Sequence, residues 1–275
     1  MLEPKCEIHI GTQGWNYDGW VGSFYPRSAR PADFLELYCK AFETVEIDSS
    51  FYAVPSPAAI ASWYKRSPEN FTFSLKLTNE ITHVNRLQDS EETLLYFCER
   101  VRGLAEKLAL ILIQLPPDFS PRSLPALEKF LPQLPTDLRF AIEFRDRHWL
   151  LDDIGEYVTG LLKTHNVALT LTDGKWFARE TMLNLTQQPT ADFAYVRWLG
   201  SREITDYSRI QIHRESELEQ WNQGFQALRQ NVSQIYGYFN NHFAGHSPDS
   251  ANQFKTLLKL PIVEPEELDD QPSLF

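Results

Sequence analysis

The stretch FAIEFRDRHW, residues 140–149, alternates large apolar side chains with polar ones. Phe140, Ile142 and Phe144 take one set of alternate positions, and Glu143 and Arg145 take the other. Because successive side chains of a strand point to opposite faces, the pattern predicts a strand with one apolar and one charged face. In a closed barrel the apolar face would meet the helices and the charged face would point into the lumen.

Seven other β-type runs accompany this one, and amphipathic stretches typical of helices separate them. Eight strand-plus-helix units in about 250 residues predict a single (β/α)8 TIM barrel, an α/β fold, over residues 1–260. A doubly wound open sheet is the alternative, but the segment IGTQGW after the first strand lacks the G-x-G-x-x-G spacing. The interval 175–190 has the weakest helical pattern. The predicted strands are 7–12, 44–50, 71–77, 108–115, 139–145, 167–173, 193–199 and 235–241. The predicted helices are 32–42, 57–66, 91–106, 123–133, 150–165, 215–230 and 249–259.

The same alternation predicts polar side chains on the inner faces of other strands. They come late in their strands, so they should gather at the C-terminal mouth, where barrel enzymes keep their chemistry. A structural ion network is the alternative, but burying charge costs several kcal/mol per ion, which favours a functional pocket. On the sixth strand either Thr172 or Asp173 would point inward. The other inward residues are Glu46, Asp48, Ser74, Lys76, Gln114, Tyr195, Arg197, Tyr238 and Asn240.

These residue types suit acid–base chemistry on an anionic substrate. Lysine and arginine bind carboxylate and phosphate groups, and carboxylates with different surroundings can serve as acid and base. Aromatic rings just after strand ends can stack on a ligand. The predicted catalytic residues are Glu46, Asp48, His83, Glu143 and Asp173. The predicted substrate-binding residues are Lys76, Gln114, Arg145, Arg197, Trp15, Tyr52, Trp149 and Asn240.

A bound metal is compatible with the sequence but is not favoured. One Mg²⁺ or Mn²⁺ could bind through Glu46, Asp48, Glu143 or Asp173, since hard cations prefer oxygen ligands. The chain has no H-x-H or H-E-x-x-H spacing, which argues against a multi-zinc cluster.

Composition and charge indicate where in the cell the protein works and which kinds of partner it can bind. The net charge of −11 argues against nonspecific coating of nucleic acid, although it allows a local basic pocket. No apolar run approaches the ~20 residues of a membrane helix, and no signal-peptide pattern opens the chain. Three widely spaced cysteines, Cys6, Cys39 and Cys98, suit reduced thiols. We therefore expect a cytoplasmic protein without a membrane partner.

The C-terminal segment PIVEPEELDDQPSLF, residues 261–275, contains five acidic residues and no Lys or Arg. Proline and acidic residues predict an extended tether over 261–270. The last five residues resemble the peptide by which bacterial replication and repair proteins dock on the DNA sliding clamp. That resemblance implies that Gln271, Leu274 and Phe275 bind the clamp, although Pro272 stands where leucine is common.

A set of motifs spans nearly the whole chain: GTQGWNYDGW (11–20), VEIDSSFYAVP (45–55), Trp63, residues 68–71, FSLKLTNEITH (73–83), IQLPPDF (113–119), EFRDRHW (143–149), Asp173, YVRWLG (195–200) and YFNN (238–241). With these motifs the chain resembles the domain-of-unknown-function 72 family of prokaryotic proteins. The resemblance implies a TIM barrel and implies little about activity. Many family members carry R-x-H-G after the seventh strand, where this chain has Arg197-Trp198-Leu199-Gly200, so a mechanism that needs that histidine is in doubt here.

Two functions follow from these observations. The first is an enzyme, a hydrolase or lyase, that acts on a small anion bearing phosphate or carboxylate. The second is a DNA-binding or nucleic-acid-processing barrel that its C-terminal peptide recruits to the clamp. Phosphate contacts with DNA give a steep salt dependence, so the effect of salt on DNA binding separates the two.

Overall fold

Nine parallel strands form one sheet in a computed structural model of the chain, which describes residues 6–200 and 203–268. Their order is β6-β5-β4-β3-β2-β1-β9-β8-β7. The strands are β1 Glu7–Gln13, β2 Thr44–Ile47, β3 Thr72–Lys76, β4 Leu108–Gln114, β5 Phe140–Glu143, β6 Val167–Leu169, β7 Leu171–Gly174, β8 Phe193–Gly200 and β9 Gln234–Phe239.

The sheet closes on itself because β6 and β7 are two parts of one strand. Only Thr170 separates them, and β6 pairs with β5 while β7 pairs with β8. The hydroxyl of Thr190 bonds to the backbone of β6: it accepts from the N–H of Leu169 at 2.7 Å and donates to the carbonyl of Val167 at 2.7 Å. The Thr190 side chain thus makes hydrogen bonds with β6 that the backbone of a neighbouring strand would otherwise make. With β6 and β7 counted as one strand, the result is a TIM-like barrel of eight strands, which confirms the predicted fold.

Helices surround the ring. One of them, α6, falls in the interval 175–190, where the sequence showed the weakest helical pattern. Helix α2 begins as its sequence indicates: the Ser56 side chain accepts from the N–H of Ala59, and Pro57 follows in the first turn. The helices are α1 Phe34–Ala41, α2 Pro57–Arg66, α3 Glu91–Val101, α4 Leu124–Phe130, α5 Asp152–Thr164, α6 Arg179–Leu185, α7 Glu215–Asn231, α8 Asn241–Ala244 and α9 Ser247–Leu257.

Two separate apolar cores lie on the two faces of the ring. Phe140, Ile142 and Phe144 belong to the larger core between strands and helices. Leu112 and Tyr195 belong to the smaller core, which fills the lumen. The alternation predicted for the strand at 139–145 is thus confirmed, and the polar side chains of the lumen sit above a packed apolar plug.

The predicted tether at 261–270 is packed over part of its length. Pro265–Leu268 form a 3-10 helix, and Leu268 is 1% exposed in the outer core, near α1. Burial of a leucine stabilises such a contact enough to hold an acidic segment against the barrel. Gln271, Leu274 and Phe275 lie outside the described residues. Within residues 6–200 and 203–268, no helix is long and apolar enough to cross a bilayer.

Candidate active site

A cavity of about 160 Å³ opens at the C-terminal ends of the strands, and we call it the mouth. Residues at the ends of β1, β3, β4 and β8, and in the loops that follow β2, β5, β7 and β9, line it, and most of them are polar or charged. Its lining residues are Gln13, Asp48, Tyr52, Lys76, Gln114, Arg145, Lys175, Trp176, Arg197, Leu199, Gly200 and Asn240.

Arg197, on β8, forms the floor of the mouth and is held by two buried glutamates. Its Nε donates to Glu46 Oε2 at 2.8 Å and its Nη2 donates to Glu46 Oε1 at 2.6 Å. Its Nη1 donates to Glu143 Oε2, and the Tyr195 hydroxyl donates to Glu46 Oε2. Glu46 and Glu143 are both 0% exposed and do not line the mouth. They therefore bind the guanidinium on the side away from the mouth, through charge-assisted hydrogen bonds that are shielded from water.

The two glutamates differ in proton affinity although they share an arginine. Burial raises the pKa of the Glu46 carboxyl, and Arg197 does not offset this fully. Burial also opposes ionisation of Glu143, but the Arg197 and Arg145 guanidiniums outweigh it and lower its pKa to about 2. Glu143 is therefore a firmly ionised partner, while Glu46 is the carboxyl that takes up a proton more readily.

Arg145 approaches the mouth from the loop after β5. Its Nε donates to Glu143 Oε1 at 2.7 Å, and its Nη2 donates to Gln114 Oε1 at 2.8 Å. Its guanidinium lies 5.7 Å from the ring centre of Trp176. The Lys175 ammonium lies 4.4 Å from the same ring centre. Glu143 thus orients two arginines, and the indole adds a flat wall beside the second of them.

Lys76 and Asp48 form an ion pair at the opening of the cavity, with Nζ 3.2 Å from Oδ1. The Asp48 side chain is 37% exposed, and Arg197 Nη2 lies 3.9 Å from the same oxygen. The Lys76 ammonium also sits 4.6 Å from the ring centre of Phe51. Ser50 fixes the lysine backbone, since its Oγ accepts from Lys76 N–H at 3.0 Å and donates to Lys76 C=O at 2.8 Å.

Gln13, which the sequence reasoning missed, pairs with the predicted residue Asn240 and completes the lining. Gln13, at the end of β1, is 1% exposed, and its Oε1 accepts from Asn240 Nδ2 at 2.8 Å. The sequence does hold a signal for it: Gln13 is a polar residue directly after the predicted end of the first strand at residue 12, and β1 extends to include it. Lys175 and Trp176 were missed too, because they fall in a loop without periodicity.

Two predicted site residues lie on the outer side of the strands. Asp173 accepts from Trp221 Nε1 at 2.7 Å and from Arg179 Nε at 2.6 Å, so it ties β7 to α6 and α7. Its neighbour Thr172 pairs in register with the inward-pointing Arg197. On the sixth predicted strand, which includes β7, Thr172 therefore points inward and Asp173 outward. Trp149 is 0% exposed and stacks on Phe119 and Phe144 in the outer core.

Two others do not line the mouth. Trp15 is half-buried and packs edge-on against Trp63. His83 is half-buried beside Phe51, with its Nδ1 2.9 Å from Thr82 Oγ1. Burial lowers the pKa of His83, and the positive charges of Arg145 and Lys76 lower it further.

The carboxylates of this region are bound to cationic side chains. In the ranges 6–200 and 203–268, no group of three or more His, Cys, Asp and Glu side chains is placed to hold a metal ion. Glu46, Asp48, Glu143 and Asp173, which the sequence left open as metal ligands without favouring a metal, are therefore not arranged as such a group.

Known proteins resemble this chain in sequence over all or part of its length. The YunF protein of Bacillus subtilis, named UPF0759, is 26% identical over 95% of this chain and 99% of its own length. The UPF0759 protein YecE of Escherichia coli K12 is 31% identical over 50% of this chain and 48% of its own.

Solved structures agree with these matches. The DUF72 family protein TM1631 of Thermotoga maritima is 25% identical, with a TM-score of 0.76 over 92% of this chain and 99% of that one. The DUF72 family protein EF0366 of Enterococcus faecalis shares the fold, with a TM-score of 0.76 at 20% identity over 96% of this chain and 99% of that one. The family model described as protein of unknown function DUF72 matches residues 9–273, and the chain therefore belongs to the DUF72 family.

Proposed function

We propose that this barrel is an enzyme that binds a small substrate bearing a carboxylate or phosphate and acts on it by acid–base chemistry at the mouth. The charge of the lining is the observation that carries the proposal. Among the described residues, the lining contains four cationic side chains and a single carboxylate, that of Asp48. The cations are Lys76, Arg145, Lys175 and Arg197.

The arrangement of Arg145 and Arg197 supports binding of an anion in addition to their pairing with the buried glutamates. Glu46 and Glu143 sit below the floor and engage one side of Arg197, and Glu143 also engages Arg145. Both arginines still line the cavity. They are therefore charged and oriented before a ligand arrives, which is the preorganisation that makes electrostatic binding effective.

Asp48 and Lys76 are the groups best placed to exchange protons with a bound substrate. Both line the cavity and lie 3.2 Å apart, and the Asp48 side chain is partly open to solvent. Glu46 and Glu143 are buried beneath them, so we assign them a positioning role in place of direct catalysis. Proton transfer of this kind serves hydrolase and lyase reactions alike.

Binding of inorganic phosphate and of propionate, measured by titration calorimetry, tests the anion site. Wild-type protein should bind at least one of them, and Lys76→Met should weaken that binding about tenfold or more, the effect expected when one charge-assisted bond is lost. Lys163→Met is the matched control, since Lys163 is an exposed residue in the last turn of α5, away from the mouth.

The outcome that favours the alternative function is equally concrete. Wild-type protein that ignores both anions but binds a DNA duplex, with affinity that falls steeply as salt rises, would replace the enzyme proposal with the nucleic-acid one. Equal weakening by Lys76→Met and Lys163→Met would mean that general charge, and no built site, attracts the anion.

A further inference from the structure

Gln13 is held rigidly at the edge of the mouth. Its backbone pairs in register with Glu46 on β2, and its carbonyl accepts from the Tyr17 hydroxyl at 2.8 Å. Its side chain is almost wholly buried and yet lines the cavity. A polar group so placed can contact a molecule in the mouth and has little freedom to turn elsewhere.

The hydrogen bonds of Asn240 determine which end of the Gln13 amide is free. Asn240 Oδ1 accepts from the backbone N–H of His242 at 2.9 Å, so its Nδ2 is the end that faces Gln13. Since Nδ2 can only donate, the atom of Gln13 that meets it must be Oε1. The remaining Gln13 atom is therefore Nε2, a hydrogen-bond donor.

This donor has no acceptor within the described parts of the chain, 6–200 and 203–268. A buried amide N–H without an acceptor destabilises the protein, because the group has lost its hydrogen bonds to water and gained none in return. The energy is recovered when a molecule in the cavity presents an oxygen. Because the same cavity is lined by Lys76, Arg145 and Arg197, that molecule would place an anionic group among the cations and an acceptor oxygen at Gln13.

We infer that the mouth is specific for anions that carry a hydroxyl or carbonyl oxygen near the charged group, and that Gln13 Nε2 recognises this oxygen. The inference rests on the proposed function and names its substrate class. Cavity size limits the class: an apolar cavity of about 150 Å³ in another protein holds benzene, so about 160 Å³ suits roughly six heavy atoms at a time. Small hydroxy or oxo acids and their phosphorylated counterparts fit this description.

Two matched ligand pairs test the inference on the full chain. Lactate is compared with propionate, and 2-hydroxyethyl phosphate with ethyl phosphate, by titration calorimetry. In the pair whose anion the site prefers, we expect the hydroxylated member to bind about tenfold more tightly, the value of one good hydrogen bond. In Gln13→Leu the preference should fall to about twofold or less, with binding of the plain anion little changed.

A second variant guards against misfolding. Gln13→Glu keeps the oxygen that accepts from Asn240 and replaces the donor by an acceptor, so it should also abolish the preference. Gln187→Leu, an exposed position after α6, is the control and should retain it. Equal binding of both members of each pair to wild-type protein, or an unchanged preference in Gln13→Leu and Gln13→Glu, overturns the inference alone. Failure of all four anions to bind overturns the proposed function and the inference with it.

Discussion

Arg197 is the residue on which the inner charges converge. It is 2% exposed and connects Glu46 on β2 with Glu143 on β5, across the barrel from its own strand. Replacing such a buried cation leaves two carboxylates without their main partner, and an unpaired buried charge is far more costly than a lost surface pair. The alternation of side chains predicted that all three would point inward. It did not predict that both glutamates would be sealed below the arginine.

Arg197→Met should lower the free energy of unfolding by about 3–5 kcal/mol, because Glu46 and Glu143 become poorly compensated. Urea denaturation at neutral pH measures the loss. Arg66→Met is the comparison: Arg66 pairs with Glu36 on the surface, and such a pair contributes at most about 1 kcal/mol. Adding Glu46→Gln and Glu143→Gln to Arg197→Met should restore part of the stability. Similar losses in the two single variants would refute the view that Arg197 neutralises a sealed pair.

At the scale of elements, the end of β8 is shaped by a backbone contact as well as by side chains. Gly200 has a φ of +66° and lines the mouth, and a Cβ there would overlap the carbonyl of His242 and lie 2.7 Å from Phe243 Cα. The strand thus turns away against the start of α8. The family resemblance marked YVRWLG as a motif, but the close approach that requires glycine arises only when β8 and α8 meet.

Gly200→Ala should destabilise the protein by more than about 2 kcal/mol and weaken phosphate binding, because both the positive φ and the close contact oppose a side chain. Gly160→Ala is the matched control. Gly160 lies inside α5, where an added methyl group would meet no atom within 4 Å, so its replacement should raise stability by about 0.5–1 kcal/mol. Thermal denaturation of both variants measures these opposite signs, and a loss in both would contradict the argument.

For the whole molecule, closure of the ring is what creates a site at all. The first and last strands, β1 and β9, pair directly, and this brings Gln13 beside Asn240, 227 positions away along the chain. The packed body also extends to Leu268, beyond the predicted limit at residue 260. A clamp-binding peptide at 271–275 would therefore begin only a few residues from the barrel surface, which shortens the tether expected from the sequence.

Two truncations separate packing from partner binding at the C-terminus. Removal of residues 265–275 should lower the free energy of unfolding by about 2–4 kcal/mol, because it takes the buried Leu268 side chain from the outer core. Removal of residues 271–275 should hardly change thermal stability and should abolish binding to a purified sliding clamp. Equal clamp binding by the full chain and by the chain lacking 271–275 would end the clamp hypothesis.

The sequence by itself determined the eight strand-plus-helix units and the faces of most strands, since a period of two is a local property of the chain. It therefore predicted the inward positions of Glu46, Glu143 and Arg197. Only the tertiary structure decided that Thr172 points inward and Asp173 outward, that Trp149 belongs to the outer core, and that Gln13 Nε2 is buried without an acceptor among the described residues. The physical reason is that burial, partners and access to the cavity depend on which distant segments meet when the ring closes, and no local pattern records those meetings.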